Sequence, residues 1–204
     1  MEIVTVNYNT PDLVDRLIKS VREVEGDYPI RIIDGSTDKY AEELKLVISK
    51  YENVSVEYQG WNIHHGRGMD LALRTSTHDK ILFIDSDNFI KKPIISLMVE
   101  QKAEIVSWYC YVNKDGFDSG RKPEGDKVFI YFHPSFMLID VKMYRESKSK
   151  FIHHGAPCIE FMLDHQDLVG VDIAELLGVE FHDLDNYISI KGRGTVNRFG
   201  YNLR

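Results

Sequence analysis

The sequence predicts an α/β fold, with a mostly parallel central sheet covered by helices on both faces. Three observations carry that prediction. Residues 81–84, Ile-Leu-Phe-Ile, form an uninterrupted apolar run, too short for a helix and made of strand formers. A strand apolar on both sides belongs in the middle of a sheet that is covered twice. The segments before it alternate between strand-like and helix-like patterns, as in strand–helix–strand units with right-handed crossovers. Finally, 204 residues, 43% hydrophobic and 28% charged, suffice for one soluble domain with a substantial core.

Taken in order, residues 3–8 read as the first strand. Thr10-Pro11-Asp12 then supplies a capping hydroxyl, a proline at the first helical position and an acid in the first turn. Leu13, Leu17, Val21 and Val24 give the helix that follows one apolar face. Residues 29–33 are a second strand, stopped by the turn cluster at residues 34–38. Residues 39–51 carry Leu44, Val47 and Ile48 at helical spacing, and residues 54–58 alternate as a third strand does. Residues 66–75 are helical and lead into the central strand.

Beyond Pro93 the pattern is less regular. A short helix over 94–101 precedes a strand over 104–112, in which Trp108, Tyr109 and Tyr111 cluster. At least one of these aromatics faces the core, because a strand alternates its sides. Residues 113–126, with three glycines, one proline and seven charged residues, form an exposed hairpin or lid. Residues 128–132 and 135–140 are strands, 158–165 and 172–177 are helices, and 179–182 is a last short strand. The tail from Lys191 is basic and contains glycine.

Composition excludes several classes. A formal net charge of −7 and a pI near 5.6 argue against general affinity for nucleic acid backbones. No apolar run approaches a membrane span and the start does not resemble a signal peptide, so the expected location is cytoplasmic. Cys110 and Cys158 are too few and too scattered for a disulfide framework or a zinc site, and are expected as buried thiols.

The chemistry gathers at Asp85-Ser86-Asp87, where the central strand ends. In open α/β sheets ligands bind at the carboxyl ends of strands. Two carboxylates one residue apart repel each other unless a cation or a set of donors lies between them. Such hard oxygen ligands suit Mg²⁺ or Mn²⁺ shared with substrate phosphates, whereas the alternative is a solvated turn. His65-Gly66-Arg67-Gly68 opens the preceding helix, where a helix N-terminus, an arginine and close backbone approach favour phosphate. Arg67 is the candidate there; His64 and His65 read as surface or packing residues.

The first strand and helix, the IIDGSTD turn at 32–38, the Gly/Arg helix start and the apolar strand ending in Asp-x-Asp occur in order over residues 1–90. This combination resembles nucleotide-sugar glycosyltransferases of the GT-A fold, family 2 and its relatives above all. The resemblance implies a single Rossmann-like domain over 1–204, with a donor half (1–100) and an irregular acceptor half (101–204). It implies that a sugar moves from a nucleoside diphosphate, with uracil as the base, to a glycan or other hydroxyl acceptor. Val6, Asn7, Tyr8, Asn9 and Asp34 would hold the nucleoside; the Asp34 carboxylate suits the uracil imide N–H. Asp87 would contact the metal, Asp85 would lie near the ribose or metal with Ser86 beside it, and His182 would be a third ligand. Imidazole favours Mn²⁺ over Mg²⁺. Lys191 and Arg193 would close over the diphosphate. A haloacid-dehalogenase-type phosphotransferase, whose strand also ends in Asp-x-Asp, and a catalytically silent sugar-nucleotide-binding module are the competing readings.

The chain departs from the family where an acidic pair at a helix start in the acceptor half supplies the general base. Here that place reads His153-His154-Gly155-Ala156-Pro157, with Glu160 the nearest acid and Asp164 four residues on. Three outcomes stay open: Glu160 is a shifted base, a histidine of the pair serves, or configuration is retained and no such base is needed. The missing motif favours retention.

Overall fold

The computed structural model describes residues 1–152 and 155–189. The first half follows the expected alternation: β1 (Glu2–Asn7), α1 (Pro11–Val24), β2 (Ile30–Asp34), α2 (Asp38–Ile48), β3 (Val54–Tyr58), α3 (His65–Thr75) and β4 (Lys80–Ile84). After α4 (Ile95–Val99) come β5 (Ile105–Ser107), β6 (Tyr109–Val112), β7 (Asp118–Gly120), β8 (Phe129–Phe132) and β9 (Phe136–Asp140). The described chain then runs through α5 (Val141–Glu146), α6 (Ile159–Asp164), β10 (Gly170–Asp172), α7 (Ile173–Leu177) and a 3₁₀ helix (Phe181–Asn186).

The main sheet has seven strands in the order β10-β5-β9-β4-β1-β2-β3. Its pairings are parallel except for β9, which runs antiparallel between β4 and β5. Successive β4 residues sort to opposite sides: Ile81 and Phe83 join one buried cluster, Leu82 and Ile84 the other. The first cluster takes Met69, Ala72 and Leu73 of α3 and Phe161 of α6, the second Val14, Leu17, Ile18 and Val21 of α1. This two-sided cover is why β4 reads as an unbroken apolar run. A second, antiparallel sheet, β7-β6-β8, stands over the β5 side.

Several local expectations change. The buried face of α1 is set by Val14, Leu17, Ile18 and Val21, with Leu13 and Val24 only half-buried. Thr10 does not cap α1: its hydroxyl donates to Asn7 Oδ1 at 2.6 Å, while its carbonyl oxygen accepts from Val14 N–H. The strand expected over 104–112 is two strands in two sheets, broken at Trp108. There the fully buried Ser107 hydroxyl reaches the carbonyl oxygens of His133 (2.7 Å) and Phe136 (3.0 Å), which lets the chain leave one ladder for the other. None of the three aromatics is fully buried; Trp108 and Tyr109 pack partly buried against the core. The strand expected over 179–182 is instead the start of the 3₁₀ helix, and β10 and α5 were not foreseen. Both cysteines are buried and unpaired as expected, and burial pushes the Cys110 thiol up to about 12.

The two sheets meet at Gly170, where an added Cβ would lie 2.0 Å from the Phe132 ring. Gly170→Ala is therefore expected to destabilise the fold by about 1–3 kcal/mol through overpacking, read as a lowered urea midpoint. An unchanged midpoint contradicts that packing.

Candidate active site

The carboxyl ends of β1, β2 and β4 lie side by side, because β1 pairs with both neighbours in parallel. A buried polar network joins them. Asp34 Oδ1 accepts from Asn7 Nδ2 (2.7 Å) and from Ser36 Oγ (2.6 Å). Ser36 Oγ in turn accepts from Asn9 N–H at 2.8 Å, and Asn9, at φ +58°, accepts Thr37 N–H through its side chain. Thr10 connects Asn7 to the Ser86 hydroxyl, 3.4 Å away. Asp34 Oδ2 is buried without a hydrogen-bond partner among the described residues. Burial raises the Asp34 pKa, opposed by the Ser36 and Asn7 hydrogen bonds.

Asn7, Asn9, Asp34 and Ser86 are thus brought together, and Val6 and Tyr8 lie half-buried beside them on the same strand end. Gly35 fits here because Trp61 O would lie 2.7 Å from any Cβ. Gly68 plays the same part for α3, where a Cβ would meet the Val6 methyl groups at 2.7 and 2.8 Å.

The turn after β4 is held by Asp85 N–H donating to Ser135 O (2.9 Å) and Asn88 Nδ2 donating to the same oxygen (3.0 Å). Asp85 Oδ1 lies 3.1 Å from His65 Nε2 at the start of α3. Burial works against both charges, yet their mutual attraction prevails. The His65 pKa is raised, with Asp87 contributing, and the Asp85 carboxyl is held below its usual range. His65, read from sequence as a surface or packing residue, is the side chain of that helix start that engages the Asp-x-Asp turn. Arg67, one helical step away, is exposed.

Beside Asp85 opens a cavity of about 260 Å³, lined also by His65, Asp118, Tyr131, His133 and Ala156. The hairpin carrying Asp118 reaches it through Gly116 (φ +85°), whose missing Cβ would stand 2.6 Å from that of Ala156. Glu160, by contrast, lines a separate surface depression with Lys148, Lys150 and Asp164. It lies three residues beyond Pro157, the last of the Gly155–Pro157 cavity wall, and does not line the cavity beside Asp85. His182 is 80% exposed and faces Asp183 at 3.7 Å. Among the described residues no group of three or more His, Cys, Asp or Glu side chains is placed to hold a metal, so His182 does not join Asp85 and Asp87. His153, His154, Lys191 and Arg193 lie outside the described residues.

Two features therefore stand together: a parallel sheet with one reversed strand, and an Asp-x-Asp turn next to a polar nest at the ends of β1 and β2. They define the GT-A class of fold. The chain belongs to glycosyltransferase family 2, whose family model (Glycosyl transferase family 2) matches residues 2–162. Its structure is similar to fragment 1–349 of TarS from S. aureus, at 13% identity over 84% of this chain and 58% of that one, with a TM-score of 0.60. It is also similar to the mannosyltransferase PcManGT from Pyrobaculum calidifontis, solved with GDP-Man and Mn²⁺, at 11% identity over 84% and 53% and a TM-score of 0.58. A third likeness is to 4-diphosphocytidyl-2C-methyl-D-erythritol synthase from Anaerococcus prevotii DSM 20548, at 14% identity over 84% and 87% and a TM-score of 0.52. At these identities the likeness shows the fold. The chain spans little more than half the length of the first two. No curated protein matches the sequence. Among the described residues no helix is long and apolar enough to cross a membrane.

Proposed function

We propose that the chain transfers a sugar from a nucleoside diphosphate, with uracil as the base, to a hydroxyl acceptor. In this reading residues 1–100 hold the donor and residues 101–204 the acceptor. The observation that carries it is the joined polar network from Asp34 through Asn7 and Thr10 to Ser86, which links the end of β2 to the carboxylate turn. Family membership supports the same reading, and TarS has been solved with UDP-GlcNAc. The decisive test is a nucleotide-sugar panel scored by thermal shift and by hydrolysis, with and without Mn²⁺. Binding without turnover over long incubation with acceptors would leave the silent-module reading, and phosphatase turnover without nucleotide binding the phosphotransferase one.

A divalent cation fits the residues present only as a shared ion. Asp85 and Asp87 are hard oxygen donors of the right kind, but Asp85 is already engaged by His65 and the chain supplies no third described ligand. Asp87 and Asp85 would hold Mn²⁺ or Mg²⁺ together with the donor's diphosphate. The ion would supply charge neutralisation on the leaving group. The chain's own residues position the reactants.

Stereochemistry turns on the base. Gly155, Ala156 and Pro157 line the cavity without a carboxylate, which is the gap that favoured retention. Asp118, from another element, borders the same cavity as Asp85, which supports a base from that side. We therefore assign Asp118 as the base of an inverting displacement, with retention as the alternative outcome of the test.

Asp34 gives a prediction with two readouts. Its buried charge has one unpaired oxygen, the acceptor that a uracil imide N–H would satisfy. Asp34→Asn is expected to weaken uridine nucleotides roughly ten-fold, the cost of a hydrogen bond to a charged group. Stability is expected to be unchanged or higher. A raised folded-state pKa means the ionised form costs stability above that pKa, a cost that disappears as pH falls through it. The variant's advantage in urea should accordingly shrink at acidic pH. Unchanged UDP affinity removes Asp34 from the site.

A further inference from the structure

One wall of the cavity beside Asp85 is a histidine that no step above uses. His133 follows β8 and precedes Pro134, which restricts its backbone to extended conformations. Its ring lies flat on Trp108, with centroids 4.0 Å apart and planes 12° from parallel. One edge is fixed as well: Ser135 N–H donates to His133 Nδ1 at 3.2 Å, and Ser135 Oγ lies 2.9 Å from the same nitrogen. That serine hydroxyl is itself held by Trp108 Nε1 at 3.3 Å. A backbone N–H cannot accept, so Nδ1 is the acceptor and Nε2 carries the proton of the neutral ring. Nε2 has no hydrogen-bond partner among the described residues, and the side chain lines the cavity with Asp85, His65 and Tyr131. Burial, with His65 nearby, pushes the His133 pKa down to about 4 against the pull of Asp85.

The ring is thus clamped on one face and one edge and presents one N–H. A neutral donor of this kind suits a hydroxyl or carbonyl oxygen, whereas phosphate calls for a cation. At about 260 Å³ the cavity is smaller than the roughly 300–1,000 Å³ of sites that hold a whole ligand, so it takes one part of the donor. Asp34, where the proposed function seats the base, lies on the far side of the Asp-x-Asp turn in strand order, which leaves the sugar for this side.

We infer that His133 is a specificity-determining residue whose Nε2–H reads an oxygen of the transferred sugar, held for that purpose by Trp108 and Ser135. The inference rests on the nucleotide-sugar reading above. It reaches further, because it makes sugar choice depend on a residue from the reversed-strand side of the sheet.

The test compares nucleoside diphosphate with nucleoside-diphosphate sugar. His133→Phe keeps a ring against Trp108 and removes the N–H. Its affinity for UDP is expected to stay within two-fold of the parent, while affinity for the preferred UDP-sugar falls about three- to ten-fold, as for one neutral hydrogen bond. His133→Gln, whose amide N–H can reach the place of Nε2, is expected to recover part of that loss and keeps the question open to measurement should the phenylalanine variant fail to fold. The loss should also vanish for the deoxy or deacylated donor that lacks the oxygen read. Equal losses for UDP and UDP-sugar, or no loss for either, would overturn the inference. If the parent binds no nucleotide at all, the functional reading fails first and takes this one with it.

Discussion

Asp87→Ala is expected to abolish metal-dependent donor binding and to lower transfer by about 10²–10³-fold, the scale seen when one preorganised charge-stabilising contact is removed. The cause lies in the turn after β4. Asp85 N–H and the Asn88 amide are both anchored on Ser135 O, which holds the turn that carries the two carboxylates at the carboxyl end of a central strand. There they repel each other unless a cation or donors lie between them. Asp85 pairs with His65, and the resemblance to the family gives direct contact with a shared cation to Asp87. Titration calorimetry with UDP in Mn²⁺ and in chelator measures this directly. The parent should bind more tightly with the metal, and the variant should bind alike in both. Asp85→Ala should do less to metal dependence, although it also frees His65. A parent that binds UDP equally well with chelator removes the metal from the mechanism.

Asp118→Asn is expected to lower transfer to the acceptor by about 10²–10⁴-fold, the range for a lost general base, while UDP-sugar binding holds within a few-fold. The amide keeps the shape of the hairpin, whose loop is organised by Asn113 Oδ1 accepting the N–H groups of Asp115 and Phe117 at 3.0 Å each. The anomeric configuration of the product, followed by NMR from a donor of known configuration, is the second half of the test. An inverted product together with a large loss in Asp118→Asn assigns the base. A retained product with little loss returns the mechanism to retention, in which the leaving diphosphate takes the acceptor proton. An inverted product that depends instead on Glu160→Gln restores Glu160, against its position in a separate depression.

The contrast between Asp87 and Asp118 shows which parts of the site a reader of the sequence could reach. Asp85-Ser86-Asp87 is legible because a local pattern marks it: an apolar run that only a doubly covered strand explains, ended by two acids. Asp34 is legible for a similar reason, as an acid closing a short apolar strand. Asp118 and His133 carry no such mark. Asp118 sits among seven charged residues of an exposed hairpin, and its pairing with Val112 of β6, together with the close approach of Gly116 to Ala156, brings it to the cavity. His133 gains its meaning from Trp108 and Ser135, 25 residues before it and two after it, in strands whose separation at Ser107 local propensity did not reveal. Glu160 shows the opposite case, a residue singled out by the sequence that lines a separate depression. Its helical register is right, but the direction of a six-residue helix is set by packing of Ile159, Phe161 and Met162, not by its own pattern.

The sequence by itself determined the alternating first half, the central strand and the carboxylates at its end, because each follows from short-range periodicity and from the few residue types that stop a strand. Tertiary structure alone decided that β9 runs backwards between β4 and β5, and that a second sheet stands over that edge. It decided too that His65 pairs with Asp85, and that the residues facing the cavity come from α3, β4, β6, β8 and a hairpin. Those are contacts between segments far apart in the chain. Their free energy comes from shared burial, which no local pattern encodes.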